Sequence, residues 1–175
     1  MSTDNQHQIK YFILPHSSNY SVVLADTDEE YIVHHYEYLN NAFDAIVLRE
    51  ESRCYGISYS IKYIFKVEGR DLVVVSCVDK NGDKEETEHP SGFTYIRIPQ
   101  IPEQKEKWTY QFDGRKVNCI STLKNEIING TSCQTLHVTR KFIYRDNDFK
   151  INVRLDELYV EGQGLKSRKE KTPML

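Results

Sequence analysis

The segment Asp79-x-Asn81-x-Asp83 comes closest in this chain to a calcium-binding loop. In such a loop, carboxylate and amide oxygens at the first, third and fifth positions coordinate Ca²⁺, and a glycine at the sixth position and a glutamate at the twelfth are also required. Here those two positions hold Lys84 and Pro90. We therefore expect a charged hairpin tip at this segment and no calcium site.

Two adjacent histidines, His34 and His35, are a second candidate for metal binding. Neighbouring side chains of a β-strand point to opposite faces of the sheet, so these two cannot hold one ion together if they lie on a strand. We expect a solvated role or a core role for each. His137 stands alone beside Val138, and no role follows for it.

The four cysteines, Cys54, Cys77, Cys119 and Cys133, are spaced 23, 42 and 14 residues apart. No Cys-x-x-Cys pair occurs, which argues against a zinc site. The sequence favours small buried apolar side chains within strands, a role that free cysteine often takes. One or two disulfides are the alternative, and four cysteines allow three connectivities between which the sequence does not choose.

No segment has the pattern of a nucleophile or of a phosphate-binding loop. Gly162-x-Gly164 lacks the third glycine of a dinucleotide-binding turn and leads into a basic segment, so we interpret it as a bulge or close backbone approach at a final strand. No Gly-x-Ser-x-Gly elbow occurs. We predict no catalytic residue, no cofactor and no metal; a hydrolase that uses dispersed carboxylates is the alternative.

The composition is that of an ordinary globular protein, with 175 residues, 39% hydrophobic side chains and a net charge of -3. Because 23 Lys and Arg are set against 26 Asp and Glu, we expect no nucleic-acid partner. The longest apolar runs are far shorter than the roughly 20 residues that span a bilayer as a helix. The polar first residues predict a cytoplasmic protein, or one of the cell envelope if an export leader was removed.

Alternating apolar and polar side chains predict β-strands along most of the chain. In residues 59–67 every odd position is apolar, and residues 72–78 are apolar on both faces, which is typical of a half-buried strand and a central strand. The short turn between them, residues 68–71, makes the pair a hairpin. Asn81-Gly82 predicts a second reversal, because this dipeptide tolerates the positive φ angles of a type I′ turn.

The second half of the chain continues the pattern. Trp108, Tyr110 and Phe112 alternate with polar residues, so three aromatic rings share one face, which we expect to be core. Further strands are predicted at residues 117–123, 134–144 and 149–159, separated by the turn residues Asp113-Gly114, Asn129-Gly130 and Asp146-Asn147-Asp148.

Residues 26–50 allow two interpretations. Thr27-x-x-Glu30 matches a helix capping box, and apolar residues recur after it near helical spacing. Against a helix, residues 31–39 are rich in aromatic and β-branched side chains, Asn40-Asn41 resembles a turn, and residues 45–48 fit a returning strand. We favour a β-hairpin here, with a helix as the alternative.

These elements predict an all-β fold of antiparallel hairpins and meanders that form a curved sheet, a sandwich or a partial barrel. A weak internal repeat, in which Pro15 and Tyr20 recur as Pro102 and Trp108, suggests two related lobes, although chance matching between strand-rich segments explains it nearly as well. We expect one compact unit. Its parts are a polar N-terminal tail (1–8), a first β lobe (9–98), a second β lobe (99–168) that begins with a proline-containing connector (99–107), and a basic C-terminal tail (169–175).

The order of motifs in residues 99–169 resembles that of a protein family. Pro102 precedes Trp108-Thr109-Tyr110, Asn129-Gly130 is central, and Tyr159-x-x-Gly162-x-Gly164-Leu165-Lys166 closes the segment. This order is similar to that of largely uncharacterised bacterial lipoprotein-like β proteins of the Bacteroidetes type. The resemblance implies an all-β fold and offers no catalytic residue. The chain departs from the group in having no Val before Lys166 and no lipid-attachment cysteine or leader, so envelope attachment is not carried over.

The leading functional hypothesis is a non-catalytic binding or interaction module with a protein, peptide or glycan ligand. Twelve tyrosines support it, because tyrosine offers a large contact area, few rotatable bonds and a polar tip. Cross-strand stapling of the sheet is the alternative role for these tyrosines. A carrier of an apolar small molecule, marked by an enclosed cavity of about 300 Å³ or more, is the second hypothesis, and the hydrolase is the third. The residues 166–171 are expected to be a solvated end, with an acidic partner surface as the alternative.

Overall fold

The computed structural model of this chain describes Phe12, residues 19–39 and residues 45–171. Almost all of these residues lie in antiparallel strands, and residues 19–39 and 45–171 form no helix. The prediction of an all-β fold is confirmed. The strands are β1 (Asn19–Asp26), β2 (Glu30–Tyr38), β3 (Ala45–Cys54), β4 (Ile57–Glu68), β5 (Asp71–Asn81), β6 (Thr87–Glu88), β7 (Thr94–Arg97), β8 (Lys105–Phe112), β9 (Arg115–Ile128), β10 (Thr131–Asp146), β11 (Phe149–Val160) and β12 (Gly164–Lys171).

The strands form two antiparallel sheets that pack face to face. The first sheet has the order β1-β2-β3-β4-β5-β6, with β7 also paired to β5, and the second has the order β12-β11-β10-β9-β8. Within the described residues no strand of one sheet pairs with a strand of the other, so the sheets form an open sandwich and not a closed barrel. One hydrophobic core contains side chains from both inner faces, among them Leu48 and Phe65 from the first sheet and Leu136 and Tyr159 from the second.

The hairpin interpretation of residues 26–50 is confirmed, because β2 and β3 pair antiparallel with Tyr36 opposite Leu48. The capping-box residues serve the preceding turn instead of a helix. The backbone N–H of Glu30 donates a 3.0 Å hydrogen bond to Oγ1 of Thr27, which closes the turn between β1 and β2. The turn expected at Asn40-Asn41 lies outside the described residues.

Two of the predicted turns have the backbone that their sequences require. Asp113 and Gly114 have φ angles of 49° and 69°, and Asn129 and Gly130 have φ angles of 50° and 79°. Consecutive positive φ angles define the type I′ turn, whose twist matches that of the strands it connects. These turns join β8 to β9 and β9 to β10, and so build the hairpins of the second sheet.

The C-terminal segment differs in part from the prediction. β12 pairs with β11 as far as Lys171, so residues 166–171 belong to the second sheet; four of them are exposed, as expected of a solvated end, whereas Ser167 and Arg168 are half-buried. The bulge interpretation of the glycines is confirmed by a register shift between Leu158 and Tyr159, next to the turn that contains Gly162. The expected tail at residues 1–8, Pro15 of the internal repeat, and residues 172–175 lie outside the described part, and the division into two lobes stays a prediction.

The cysteines fit the prediction only in part. Cys77 and Cys119 are buried within β5 and β9, whereas Cys54 is exposed and Cys133 is half-buried. All four are free thiols, so the disulfide alternative is wrong. The described residues contain no helix that is long and apolar enough to cross a bilayer.

Candidate functional site

A buried ion pair lies on the inner face of the second sheet. Nε of Arg140, on β10, donates a 2.6 Å hydrogen bond to Oε1 of Glu157, on β11, and the two side chains are only 4% and 1% exposed. Nη1 of Arg140 also donates to the carbonyl oxygen of Tyr95 in the first sheet, at 2.7 Å. The hydroxyl of Tyr159 donates to the second oxygen of Glu157, at 3.1 Å. Both charged groups are therefore held in fixed positions.

A second ion pair crosses from one sheet to the other. Nη1 of Arg168, on β12, donates a 2.9 Å hydrogen bond to Oε2 of Glu50, on β3. Nε2 of the buried His34 lies 2.5 Å from the same oxygen. Because Arg168 stands directly opposite Glu157 in the register of β11 and β12, the charges alternate in sign along a line from Arg140 to Glu50.

The four charged groups keep their charges at neutral pH. Burial raises the pKa of Glu157, but the charges of Arg140 and Arg168 outweigh it, and the pKa lies below its ordinary value. Burial likewise opposes ionisation of Glu50, yet the hydrogen bond from His34 and the charge of Arg168 lower its pKa from 4.5 to about 2. Burial lowers the pKa of Arg168, and the two glutamates more than offset this effect.

Three of these groups, Glu50, Arg140 and Arg168, line one side of a cleft between the sheets, with a volume of about 720 Å³. Aromatic rings form much of the remaining wall. The ring centroid of Tyr63 lies 5.3 Å from that of Tyr95 and 6.4 Å from that of Phe112, which belongs to the opposite sheet. The side chains that border the cleft include Glu50, Tyr59, Ile61, Tyr63, Asp79, His89, Tyr95, Tyr110, Phe112, Val117, Arg140, Phe142, Tyr144, Leu155 and Arg168.

Two polar atoms of this cleft have no hydrogen-bond partner. Among the buried side-chain nitrogen and oxygen atoms that the structure describes, only Nη2 of Arg140 and Nε2 of His89 are in this state. The guanidinium carbon of Arg140 lies 4.0 Å from the centroid of the Tyr95 ring. Arg140 also interacts with the phenol of Tyr110 and partly offsets the rise that burial causes in the pKa of Tyr110. Nε2 of His89 nevertheless lies 2.8 Å from a carboxylate oxygen of Asp79, within ion-pair distance.

Buried polar atoms in native proteins almost always have a partner, so a buried guanidinium nitrogen without one singles out this cleft. Nη2 of Arg140 is a donor only, because a guanidinium has no acceptor atom. The cleft therefore offers a fixed donor to an acceptor group that enters between the aromatic rings.

The two adjacent histidines lie on opposite faces of the sheet, as their position on a strand predicts. His34 faces the core at 1% exposure, whereas His35 points to the opposite face, where its Nδ1 lies 2.8 Å from the hydroxyl of Ser21. His137 lies 2.9 Å from a carboxylate oxygen of Glu126 at the surface. In residues 19–39 and 45–171, no three His, Cys, Asp or Glu side chains are grouped so that they could hold a metal ion.

The charged hairpin tip expected at residues 79–83 includes Asp83 but not Asp79, which borders the cleft. Asp79 points inwards and accepts a 3.0 Å hydrogen bond from the hydroxyl of Tyr59, while Asp83 lies in the turn after β5. Trp108 is in the core, as predicted, and its Nε1 donates a 2.9 Å hydrogen bond across the sandwich to the carbonyl of Thr94.

Sequence reasoning missed the charged residues that matter most here. Arg140 lies at an inward-facing position of β10, in the same alternation as Leu136 and Val138. Glu157 lies at an inward-facing position of β11, in the same alternation as Val153 and Leu155. The sequence did contain a signal for both residues: each is charged at a position where the alternation predicts an apolar side chain. Such a residue is buried only with a partner, which makes it a candidate for a site.

No protein-family model, curated protein or solved structure matches this chain. The resemblance to the bacterial lipoprotein-like proteins is thus untested and stays a prediction.

Proposed function

We propose that this protein is a non-catalytic binding protein for a small molecule that has an apolar or aromatic body and a hydrogen-bond acceptor group. The ligand occupies the cleft between the sheets. The cleft volume of about 720 Å³ is within the range of roughly 300–1,000 Å³ that is typical of small-molecule sites. The observation that carries the proposal is that Nη2 of the buried Arg140 has no hydrogen-bond partner and that Arg140 borders this cleft.

The chemistry of the walls supports this ligand class. Rings such as Tyr63 and Phe112 can stack on an aromatic body or pack against an apolar one. Nη2 of Arg140 can donate to a carbonyl, carboxylate or sulfonate oxygen. Since Glu157 and Tyr95 already fix the guanidinium, little side-chain freedom is lost when the acceptor arrives.

The directions of the pKa shifts support binding over turnover. A general acid in a hydrolase needs a carboxyl whose pKa is raised towards neutrality, whereas the pKa of Glu50 falls to about 2. Burial raises the pKa of the Cys77 thiol to about 12, which disfavours the nucleophilic thiolate. Burial also raises the pKa of Tyr95 well above its ordinary value.

A fluorescence titration with 1-anilinonaphthalene-8-sulfonate tests the proposal, because this probe combines an aromatic body with an acceptor group. The informative variant is Val117→Phe, which fills part of the cleft from β9. Its matched control is Val75→Phe, the same substitution at an exposed position of β5 that does not border the cleft. We expect saturable binding that is at least tenfold weaker in V117F and unchanged in V75F, with urea unfolding used to check that both variants fold.

If V117F does not fold, Ile61→Phe fills the cleft from the first sheet and takes its place. Equal affinity in the filled variant and in V75F would show that the probe binds elsewhere and would contradict the proposal. Absence of saturable binding by the unsubstituted protein would also contradict it.

A further inference from the structure

The outward face of the second sheet presents basic side chains in rows across its strands. Lys141, Arg154 and Lys171 are successive neighbours in the register of β10, β11 and β12, and all three are exposed. Lys116 lies on β9 on the same face, and a surface depression of about 1130 Å³ is bordered by these four residues. The rows exist only in the folded sheet, because along the chain each basic residue alternates with an inward-facing one.

We name this surface the outer basic face. It carries ten basic side chains against two acidic ones, Glu126 and Asp156, which gives the face a charge of +8. Since the whole chain has a net charge of -3, the rest of the chain carries -11. The basic side chains are Lys105, Lys107, Lys116, Lys124, Lys141, Arg145, Lys150, Arg154, Lys169 and Lys171.

We propose that the outer basic face docks the protein on the surface of an anionic lipid bilayer. Neighbouring strands are about 4.8 Å apart and alternate residues about 7 Å apart, so the lysines and arginines form a two-dimensional array that matches a surface of many negative headgroups. Basic residues near such a surface each contribute to binding through its negative potential. The net negative charge of the remaining protein is repelled by the bilayer and orients this face towards it.

An exposed apolar side chain at one end of the face fits the same partner. Ile143 lies on the face and is 43% exposed. Arg145 follows it on the same side of β10, and Lys150 stands opposite Arg145 on β11. Apolar side chains next to basic ones are the combination by which peripheral proteins enter the interface of a bilayer.

A nucleic acid fits this face less well. Proteins that bind single strands stack bases on aromatic side chains. The outward positions of the strands between residues 105 and 171 contain no Phe, Tyr or Trp. This proposal concerns the opposite side of the second sheet from the cleft and does not depend on the function proposed for the cleft.

Co-sedimentation with vesicles tests the docking proposal. Vesicles of phosphatidylcholine and phosphatidylglycerol at 70:30 are compared with vesicles of phosphatidylcholine alone, at 0.1 M and 0.5 M NaCl. The full chain is expected to bind the anionic vesicles at low salt, to be released at high salt, and to ignore the neutral ones. Surface electrostatics of this kind is screened within a Debye length of about 10 Å at 0.1 M salt.

The informative variant combines Lys107→Gln, Lys116→Gln and Lys141→Gln, three exposed residues of the face. The matched control combines Arg49→Gln, Lys62→Gln and Lys66→Gln, which remove the same charge from the exposed outer side of the first sheet. Because each basic residue near an anionic bilayer changes partitioning by about fivefold, the first variant is expected to bind about 100-fold more weakly. The control variant is expected to lose less than fivefold in affinity for the anionic vesicles.

Three results would overturn the proposal. The first is a loss in the control variant as large as that in the first variant. The second is a lack of binding to the anionic vesicles, or equal binding to neutral ones. The third is tighter binding of a fluorescein-labelled 30-base-pair DNA duplex than of the anionic vesicles, which would identify a nucleic-acid partner instead.

Discussion

Arg168 and Glu50 lie 118 residues apart in the sequence, yet Nη1 of the arginine donates a 2.9 Å hydrogen bond to the carboxylate across the space between the two sheets. This contact connects the last strand of the chain to the third. Further polar contacts cross the sandwich elsewhere, such as the hydroxyl of Ser121 donating to the carbonyl of Arg97 at 2.5 Å. The two sheets are therefore joined by directional bonds as well as by apolar burial, and the pair Arg168–Glu50 also borders the cleft.

Removal of one partner of this pair is expected to be strongly destabilising. Arg168→Met leaves the largely buried carboxylate of Glu50 without its counter-charge, and the breaking of buried ion pairs typically costs about 3–5 kcal/mol of unfolding free energy. The matched control is Lys66→Met, which breaks an exposed pair with Glu68 at 3.5 Å and is expected to cost less than about 1 kcal/mol. Urea unfolding measures both, and equal losses would contradict the role assigned to Arg168.

The stability of the protein is expected to fall in acid. The folded-state pKa of Glu50 is lowered from 4.5 to about 2, so its contribution is fully present above pH 4.5 and is lost as the pH falls towards 2. For a single group this contribution amounts to roughly 3 kcal/mol. The pKa of Glu157 is lowered too and acts in the same direction. Unfolding free energies measured from pH 7 to pH 2 give the dependence of stability on pH.

Glu50→Gln is the variant that isolates this effect, because it removes the titrating group. It is expected to flatten the dependence of stability on pH more than Glu126→Gln does. The pKa of Glu126 is lowered by hydrogen bonds from Thr135 and His137, but its side chain is 36% exposed and solvent screens it. A pH slope that is the same in E50Q as in the unsubstituted protein would contradict the buried ion-pair assignment.

The turn between β9 and β10 provides a test of the backbone argument. Gly130 has a φ angle of 79°, and an added Cβ would meet no atom within 4 Å, so Gly130→Ala introduces backbone strain without a steric clash. We expect a loss of about 1 kcal/mol in urea unfolding. Asn129→Gly, at the neighbouring positive φ angle of 50°, serves as the control and is expected to leave stability unchanged or slightly raised. If G130A is as stable as the unsubstituted protein, the turn has changed its type, which would contradict the backbone argument.

The cysteines are expected to differ in their reactivity towards a thiol reagent such as DTNB. Cys54 is exposed and should be the first to react in the native protein. Burial raises the pKa of the thiols of Cys77 and Cys119, which lowers the fraction of reactive thiolate. These two should react only after unfolding in urea. Mass spectrometry of the labelled peptides identifies the sites, and early labelling of Cys77 would contradict its burial.

The sequence predicted the strands well because their alternation is local. The odd positions of residues 59–67 do face the core, and Asn129-Gly130 does form the turn that its residue types allow. Arg168 was placed in a solvated end because both faces of β12 are polar, so no alternation of hydrophobicity marks it as a strand. Its burial depends on Glu50 of a distant strand, and such a pairing leaves no trace in local composition.

The outer basic face was invisible for a related reason. Its lysines and arginines are spread over five strands and are outnumbered in the whole chain by acidic residues. Only the register, which sets Lys141 beside Arg154 and Arg154 beside Lys171, gathers them on one surface. A net charge calculated from composition reports the sum of both faces and hides the difference between them.

The central claim is that a small molecule binds between the sheets, and methyl NMR of Ile, Leu and Val side chains tests it most directly. With 1-anilinonaphthalene-8-sulfonate added stepwise, we expect saturable shifts at Ile61, Val117 and Leu155, which border the cleft, and none at Ile120 and Leu158, which point away from it. Shifts confined to the outward methyl groups, or no shifts at the three cleft residues at saturation, would contradict the account.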